Sequence, residues 1–422
     1  GLCHVPSFRF VALTNQLLSR IDLNEIQEGQ NFQKALRNLI FRMCHDHPYH
    51  CTAPLIALTN GEVDTKIQGA QLIVNNLGKS GTGYIRDLLK SYIVLTSAYN
   101  ELAHASTKKF EESRQRKKQK IKFSEISRCF ARKTLDRCLE RLSCVPTIVT
   151  SPPTLRPGRD YGSGKEDPIG GERIAGFESD FAVTESGINR PKIVMCIGTR
   201  GGSFRQLVKG EDDIRQDAIM SQVFTYVNSL MKRRITEDTN RTKGDTKRNR
   251  HKLQMITYNI LPLSPSSGVL EWVEGTQPMT SFLNDQFGRV GSHSRYFPEE
   301  WSGDQCRFTL QQCGNNRDEK RKVYDEICTR YSPSFRFFFL ERFGNCMESW
   351  HIAKMNFTRS VAVNSIVGHI LGIGDRHLGN ILIDQGTGEV VHIDFGFVFE
   401  QGKVRTETFL FVSFLEVLRF RF

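Results

Sequence analysis

The chain has 422 residues, 39% of them hydrophobic and 25% charged, with a formal net charge of +12, the balance of ordinary globular protein. Its 11 cysteines are irregularly spaced with no C-x-x-C pair, which excludes a disulfide framework and suggests a reducing compartment. No apolar run reaches the ~18 residues of a membrane span, and the opening "GLCHVPSFRF" is no secretory signal.

The positive charge favours anionic partners: nucleotide phosphates, nucleic acid or acidic peptide. The length suits two to three domains. A start at Gly1 is expected of a piece of something longer.

Residues 1 to about 145 read as helices. "NFQKALRNLIFRMC", "IRDLLKSYIVLTSAYNELA" and "FSEISRCFARKTLDRCLERL" all space their apolar residues helically. The basic run "KKFEESRQRKKQKIK" between the last two reads as a solvated face or loop. "VPTIVTSPPTLRPGRDYGSGKEDPIGG" reads as a linker. Strand-like runs follow: "PKIVMCIG", "ITYNILPL" and "GVLEWV". Between the first two, "DDIRQDAIMSQVFTYVNSLM" predicts a helix with acidic residues in its first turn. "KRRITEDTNRTKGDTKRNRHK" reads as an exposed loop. From about residue 276 helices dominate again, ending in "TRSVAVNSIVGHILG".

Three stretches imitate known sites. "CHDHPYHC" suggests metal, but zinc ligand pairs are usually separated by a longer loop, and Pro48 suits a helix junction. "LGKSGTG" carries G-K-S, yet Ile73 stands where a phosphate loop needs glycine. Cys306 and Cys313 flank an ordinary helical stretch.

Phosphoryl transfer requires that phosphates be held, metal placed and an acceptor hydroxyl aimed. Four pieces suit those tasks in order. In "IGTRGGSFRQLVKG", Gly198, Gly201 and Gly202 allow close backbone approach to an anion, and Ser203 adds a donor. Lys209, ending an apolar run, can reach phosphates as a point charge, oriented by Asp212, Asp213 or Asp217. In "GIGDRHLGN", Asp375 and Asn380 keep the five-residue step of a kinase catalytic loop although H-R-D is reversed. Asp375 would take or orient the hydroxyl proton, Asn380 would bind metal, and His377 would bond a phosphate or assist. In "HIDFG", Asp394 follows the short run "VVHI". "ILID" and "VVHI" predict a hairpin that brings Asn380 and Asp394 together as oxygen ligands for magnesium.

The reversed D-R-H followed by H-I-D-x-G resembles the phosphatidylinositol 3-kinase-related protein kinases, and most resembles their DNA-damage-response branch. "RQLVKGEDDIRQDAIMSQVF", "SGVLEWVEGT", "FTRSVAVNSIVGHILGIGDRH" and "VVHIDFGFVFEQGK" carry the likeness, and "LIFRMCHDHPYH" resembles the end of the family's helical FAT region. The resemblance implies an α+β, bilobal kinase fold with a β-rich N-lobe and a helical C-lobe. The FAT-type helices would fill 1–145, linker and N-lobe start 146–185, N-lobe and hinge 186–275, partial C-lobe 276–403, and a divergent tail 404–422.

It further implies that Lys209 holds the α- and β-phosphates of ATP with Asp217 near it. Val273 would bond adenine through its backbone, Trp272 would pack on the base, and Leu207, Tyr258, Leu270, Leu382 and Ile393 would line the adenine pocket. Asp375, His377, Asn380 and Asp394 keep the catalytic and metal roles, with Mg2+ or alternatively Mn2+. The implied activity is a serine/threonine protein kinase acting on Ser or Thr followed by Gln, nuclear, engaged by a DNA-break sensor complex and able to form a homodimer through its FAT and kinase regions. The tail "VRTETFLFVSFLEVLRFRF" departs from the family's activation loop and later helices. It is expected to leave a truncated chain, poorly stable and nearly inactive. A phosphoinositide kinase shares the D-R-H loop, and a non-catalytic interaction fragment is the reading from another class.

Overall fold

The computed structural model describes residues 5–23, 30–108, 110, 120–127, 133–156, 172–184, 189–241, 253–286, 288–314 and 316–399. The chain packs into two compact units: Gly1–Ser221 with Tyr258–Trp272, and Gln222–Thr257 with Val273–Phe422.

The first unit opens with helices α1 (Thr14–Ser19), α2 (Gln30–Asp46), α3 (Pro48–Thr59), α4 (Asp64–Ser80) and α5 (Gly83–His104). Pro48 starts α3, as its fixed φ and missing N–H suit a first helical position. Thr82 caps α5 by accepting from the Ile85 amide. In α5 the buried residues Ile85, Leu88, Leu89, Tyr92, Leu95, Tyr99 and Leu102 recur at three- and four-residue steps. Each such aliphatic side chain gives roughly 1.5–3 kcal/mol on burial, so the stripe rather than intrinsic propensity holds the helix.

A seven-stranded antiparallel sheet shares the core of these helices. Its strands are β1 (Ile121–Lys122), β2 (Ile174–Phe177), β3 (Asp180–Val183), β4 (Lys192–Gly198), β5 (Ser203–Gly210), β6 (Ile260–Ser264) and β7 (Ser267–Glu271). The order is β1-β3-β4-β5-β7-β6, with β2 also on β4. Val194, Cys196, Val208 and Val269 turn to the helical core. By the two-residue period of a strand, Leu207 and Lys209 take the other face of β5.

Buried polar bonds fasten α5 to the sheet. Tyr99 Oη donates to Gln206 Oε1 at 2.5 Å, and Gln206 Nε2 donates to Thr150 Oγ1 at 3.0 Å. Ser267 Oγ donates to Asn100 Oδ1 at 2.6 Å. Lys192 Nζ donates to the Ala103 carbonyl at 2.7 Å. That carbonyl presses so close to β5 that a Cβ on Gly210 would lie 2.2 Å from its oxygen.

The second unit holds a three-stranded sheet, β10-β9-β8, formed by β8 (Thr276–Pro278), β9 (Ile381–Asp384) and β10 (Val390–His392). Around it lie α9 (Met279–Leu283), α10 (Ser292–Tyr296), α11 (Gly303–Gln312), α12 (Arg317–Arg330), α13 (Arg336–Phe343) and α14 (Met347–Ile370). An aromatic cluster of Phe335, Phe338, Phe339 and Phe357 packs with Met279, Ile381 and Ile383. One long helix, α8 (Arg215–Arg241), contributes its first turns to the first unit and the remainder to the second.

Several sequence expectations need correction. "FSEISRCFARKTLDRCLERL" is no continuous helix: its described parts are the short helices α6 (Phe123–Ser127) and α7 (Leu135–Cys138) and a 3-10 turn at Leu139–Arg141, and 128–132 lie outside the described residues. The basic run ends in strand β1, paired with β3, while 109 and 111–119 are not described. The first part of the linker is docked: Ile148 is fully buried, Thr147 bonds Tyr92 Oη at 2.6 Å, and the Thr150 carbonyl accepts from Asn259 Nδ2 at 2.8 Å. Residues 157–171 of that linker lie outside the described set. The charged run after residue 231 continues α8 to Arg241 instead of looping, and 242–252 are not described. Only the second half of "ITYNILPL" is strand, because Tyr258 spends its carbonyl on Ser221 Oγ at 2.7 Å. The tail 404–422 also lies outside the described residues, as does 400–403. Among the described residues no helix is long and apolar enough to cross a membrane.

Candidate functional site

In the second unit, α14 delivers the chain into the loop that carries Asp375, Arg376 and His377. The hairpin β9–β10 then returns it, with Ile381 opposite His392 and Leu382 opposite Val391. Beyond the last ladder pair, the Ile393 amide still donates to the Asn380 carbonyl at 3.0 Å. Asn380 therefore sits at the open end of the hairpin, one residue across from Asp394. Its side-chain Nδ2 donates to the Asp375 carbonyl at 3.1 Å, which leaves Oδ1 as the atom to offer a hard cation. Asn380 is buried, whereas Asp375, His377 and Asp394 are exposed. His377 Nδ1 accepts from the Gly379 amide at 3.1 Å, so the neutral ring carries its proton on Nε2.

Arg376, between the two quoted site residues, is buried at 7% exposure. Its Nε donates to the Gly374 carbonyl at 2.7 Å, Nη1 to Ile393 O at 2.8 Å, and Nη2 to Asp394 O. Nothing in the motif signals that its middle residue is buried, and the sequence reading gave Arg376 no role. Burial, reinforced by the Arg376 charge, pushes His392 down to about 3, so that imidazole is neutral at physiological pH.

In the first unit, β4 and β5 join through the turn 199–202. Gly201 takes φ +83°, open to glycine without steric cost. Gly198 and Gly202 have a packing reason to be glycine: a Cβ on either would strike the Glu172 carboxylate at 1.5 or 2.8 Å. The amides of Gly198, Thr199 and Gly201 donate to Gly202, Arg173 and Gly198 carbonyls. Ser203 begins β5 opposite Ile197. Lys209 Nζ pairs with Asp212 at 3.2 Å. Asp213 instead bonds Arg215, which holds its carboxyl below the usual value. Asp217 is buried in the first turn of α8. Leu207 faces Leu270 directly across the β5–β7 ladder.

Residues 203–410 match the family model described as phosphatidylinositol 3- and 4-kinase. The chain is 36% identical over 410 residues to the serine/threonine-protein kinase ATM of Arabidopsis thaliana, covering 94% of this chain and 10% of that protein. It is 34% identical to the serine-protein kinase ATM of Sus scrofa, covering 95% of this chain and 13% of that one. The fold superposes on the FAT and kinase domain of CtTel1 with a TM-score of 0.76 and 32% identity, over 96% of this chain and 26% of that chain. The complete CtTel1 dimer with C2 symmetry gives 0.78, over 96% of this chain and 14% of that chain, also at 32% identity.

Over residues 203–410 the chain carries a phosphatidylinositol 3- and 4-kinase domain.

It spans about a tenth of the length of the curated relatives it matches. The residues given family roles fall in both units. Trp272 is the last residue of the first, and Val273 opens the second segment of the second. The Trp272 amide extends the ladder to the Arg205 carbonyl at 3.1 Å, and the Arg205 guanidinium lies 5.5 Å from its ring. Tyr258 and Leu270 are buried in the first unit, and Leu382 is buried in the second. Ile393 is half-buried beside Asn380. A carboxylate and an amide oxygen at one hairpin end suit magnesium, which takes one or two protein oxygens and completes its shell with water and phosphate. Bound there, the ion would neutralise phosphate charge. Among the described residues no group of three or more His, Cys, Asp or Glu is placed to hold a metal ion, and the hairpin end offers one carboxylate and one amide.

Proposed function

We propose that the chain carries the catalytic region of a serine/threonine protein kinase that transfers the γ-phosphoryl group of ATP to Ser or Thr followed by Gln. The observation that carries this reading is the hairpin end, where Asn380 is tied through its backbone to Ile393 and through its side chain to Asp375. That arrangement supports Asp375 as the residue that orients the acceptor hydroxyl. It supports Asn380 and Asp394 as holders of Mg2+, with Mn2+ as an alternative. His377 would steady phosphate or assist the proton. Lys209, the turn from Gly198 to Ser203, and the residues Leu207, Tyr258, Leu270, Trp272, Val273, Leu382 and Ile393 are assigned to the nucleotide, with Asp217 beside the lysine.

In this reading 1–145 is the C-terminal part of the FAT region, 146–185 linker and N-lobe start, 186–275 N-lobe and hinge, and 276–403 partial C-lobe. Nuclear location, a DNA-damage role and engagement by a DNA-break sensor rest on the likeness to the ATM and Tel1 proteins. Homodimerisation rests on the CtTel1 dimer. The test offers the purified chain labelled ATP with a Ser-Gln peptide, an Ala-Gln peptide, or phosphatidylinositol vesicles. Weak, magnesium-dependent labelling of the Ser-Gln peptide alone is expected. Labelling of lipid instead would replace the reading with a phosphoinositide kinase, and no labelling of any of them would leave an interaction module.

A further inference from the structure

We propose that Arg376 is a positioning residue that clamps the hydroxyl-orienting loop to the metal-binding strand end, fixing Asp375 and Asp394 relative to each other. This rests on the kinase reading above for what the two aspartates do. The clamp itself rests on geometry.

The guanidinium donates to carbonyls on both segments: Gly374 on its own loop, and Ile393 and Asp394 across from it. It is buried, and its carbon lies 5.3 Å from the Phe395 ring centre. A second tie joins the same two segments, from the Gly374 amide to the Phe397 carbonyl at 2.7 Å. Both aspartates hold a left-handed backbone, φ +52° at Asp375 and +60° at Asp394. Aspartate tolerates that region better than most residues, but it is sparsely populated, and persists where surroundings over-determine it.

The Arg376 bonds end on the carbonyl of Asp394 itself and on the carbonyl of the residue preceding Asp375. The peptide planes flanking both strained residues are thereby held. A fork with several fixed, separated donors is what three divergent carbonyls require; an ammonium carries all of its donors on one atom. Arg376 thus has no need to touch substrate. It acts through the two aspartates.

The test compares the full chain with Arg376→Met, which keeps bulk without donors, and Arg376→Lys, which keeps charge and part of the bonding. Three readouts are taken: kcat and KM for ATP, the Mg2+ concentration giving half-maximal rate, and amide hydrogen exchange. Loss of charged bonds of this kind predicts a fall in kcat on the order of 100-fold for Arg376→Met and about tenfold for Arg376→Lys. The Mg2+ midpoint should rise in both variants, and KM for ATP should move less than kcat. Exchange should quicken at 373–380 and 393–397 while α5 keeps its protection. If the role is only structural, the folded fraction falls but the surviving molecules keep the wild-type kcat and Mg2+ midpoint, and the proposal is overturned. If the wild type itself transfers no phosphate, the kinase reading fails, and exchange alone decides the clamp. Unchanged protection of both segments in Arg376→Met would then refute it.

Discussion

Replacing Lys192 by methionine should make the protein's stability depend on pH in a direction the structure dictates. Lys192 is 5% exposed and donates to the Ala103 carbonyl in the last turn of α5, where a cation complements the helix dipole. Burial lowers its amine from 10.5 to about 8, with Glu211 pulling weakly the other way. Between those two values the unfolded chain binds more protons than the folded one, so stability rises with pH through that window. Below about 8 the desolvated ammonium is present in full and its cost is constant. The gap corresponds to roughly 3 kcal/mol if fully expressed, and to about half that once residual water around the ammonium is allowed for. At pH 7 the lost bond and the relieved desolvation nearly cancel, so Lys192→Met should be close to neutral. By pH 10.5 the wild type should be ahead by about 1–2 kcal/mol. Denaturant unfolding of both proteins at matched pH between 7 and 10.5 measures the difference, in which other titrating groups cancel. A difference that stays flat, or that favours methionine increasingly as pH rises, would refute the assignment of a buried, depressed lysine at this helix end.

Gly210→Ala should cost about 1–3 kcal/mol, since the new Cβ meets a backbone carbonyl 2.2 Å away and no rotamer can relieve it; an unchanged thermal midpoint would contradict the close docking of α5. Asp375→Ala should lose kcat by several orders of magnitude with little change in ATP affinity, because the interaction forms in the transition state. His377→Ala should be milder, as its ring is exposed and engaged with Gly379. The reverse ranking would exchange the two roles.

The β9–β10 hairpin and the turn from Asp375 to Asn380 were legible because their information is local. A five-residue step from Asp375 to Asn380, and two apolar runs around a glycine turn, specify neighbours that lie within twenty residues. The amphipathic α5 and the later part of α14 were legible from runs of neighbouring residues as well. The docked segment 145–156 was not, since Thr147 and Thr150 find their partners at Tyr92, Gln206 and Asn259, and composition alone reads proline and serine as linker. The first turns after Met231 are helix although their charge suggests a loop, because Lys, Arg and Glu are good helix formers. Gly198 and Gly202 were assigned to phosphate from their spacing, while the contact that demands glycine there, Glu172, lies outside the motif. Arg376 was invisible as a buried residue because burial of an arginine depends on three carbonyls that only the folded hairpin assembles.

The proposed function turns on Asn380 and Asp394 as a magnesium site for ATP. Calorimetric titration of the full chain with ATP, with and without Mg2+, beside Asp394→Asn tests it most directly. Magnesium-dependent binding is expected in the wild type, weakening at least tenfold in the variant, a loss of one charge-assisted ligand. Tight binding that ignores both magnesium and the substitution would contradict it.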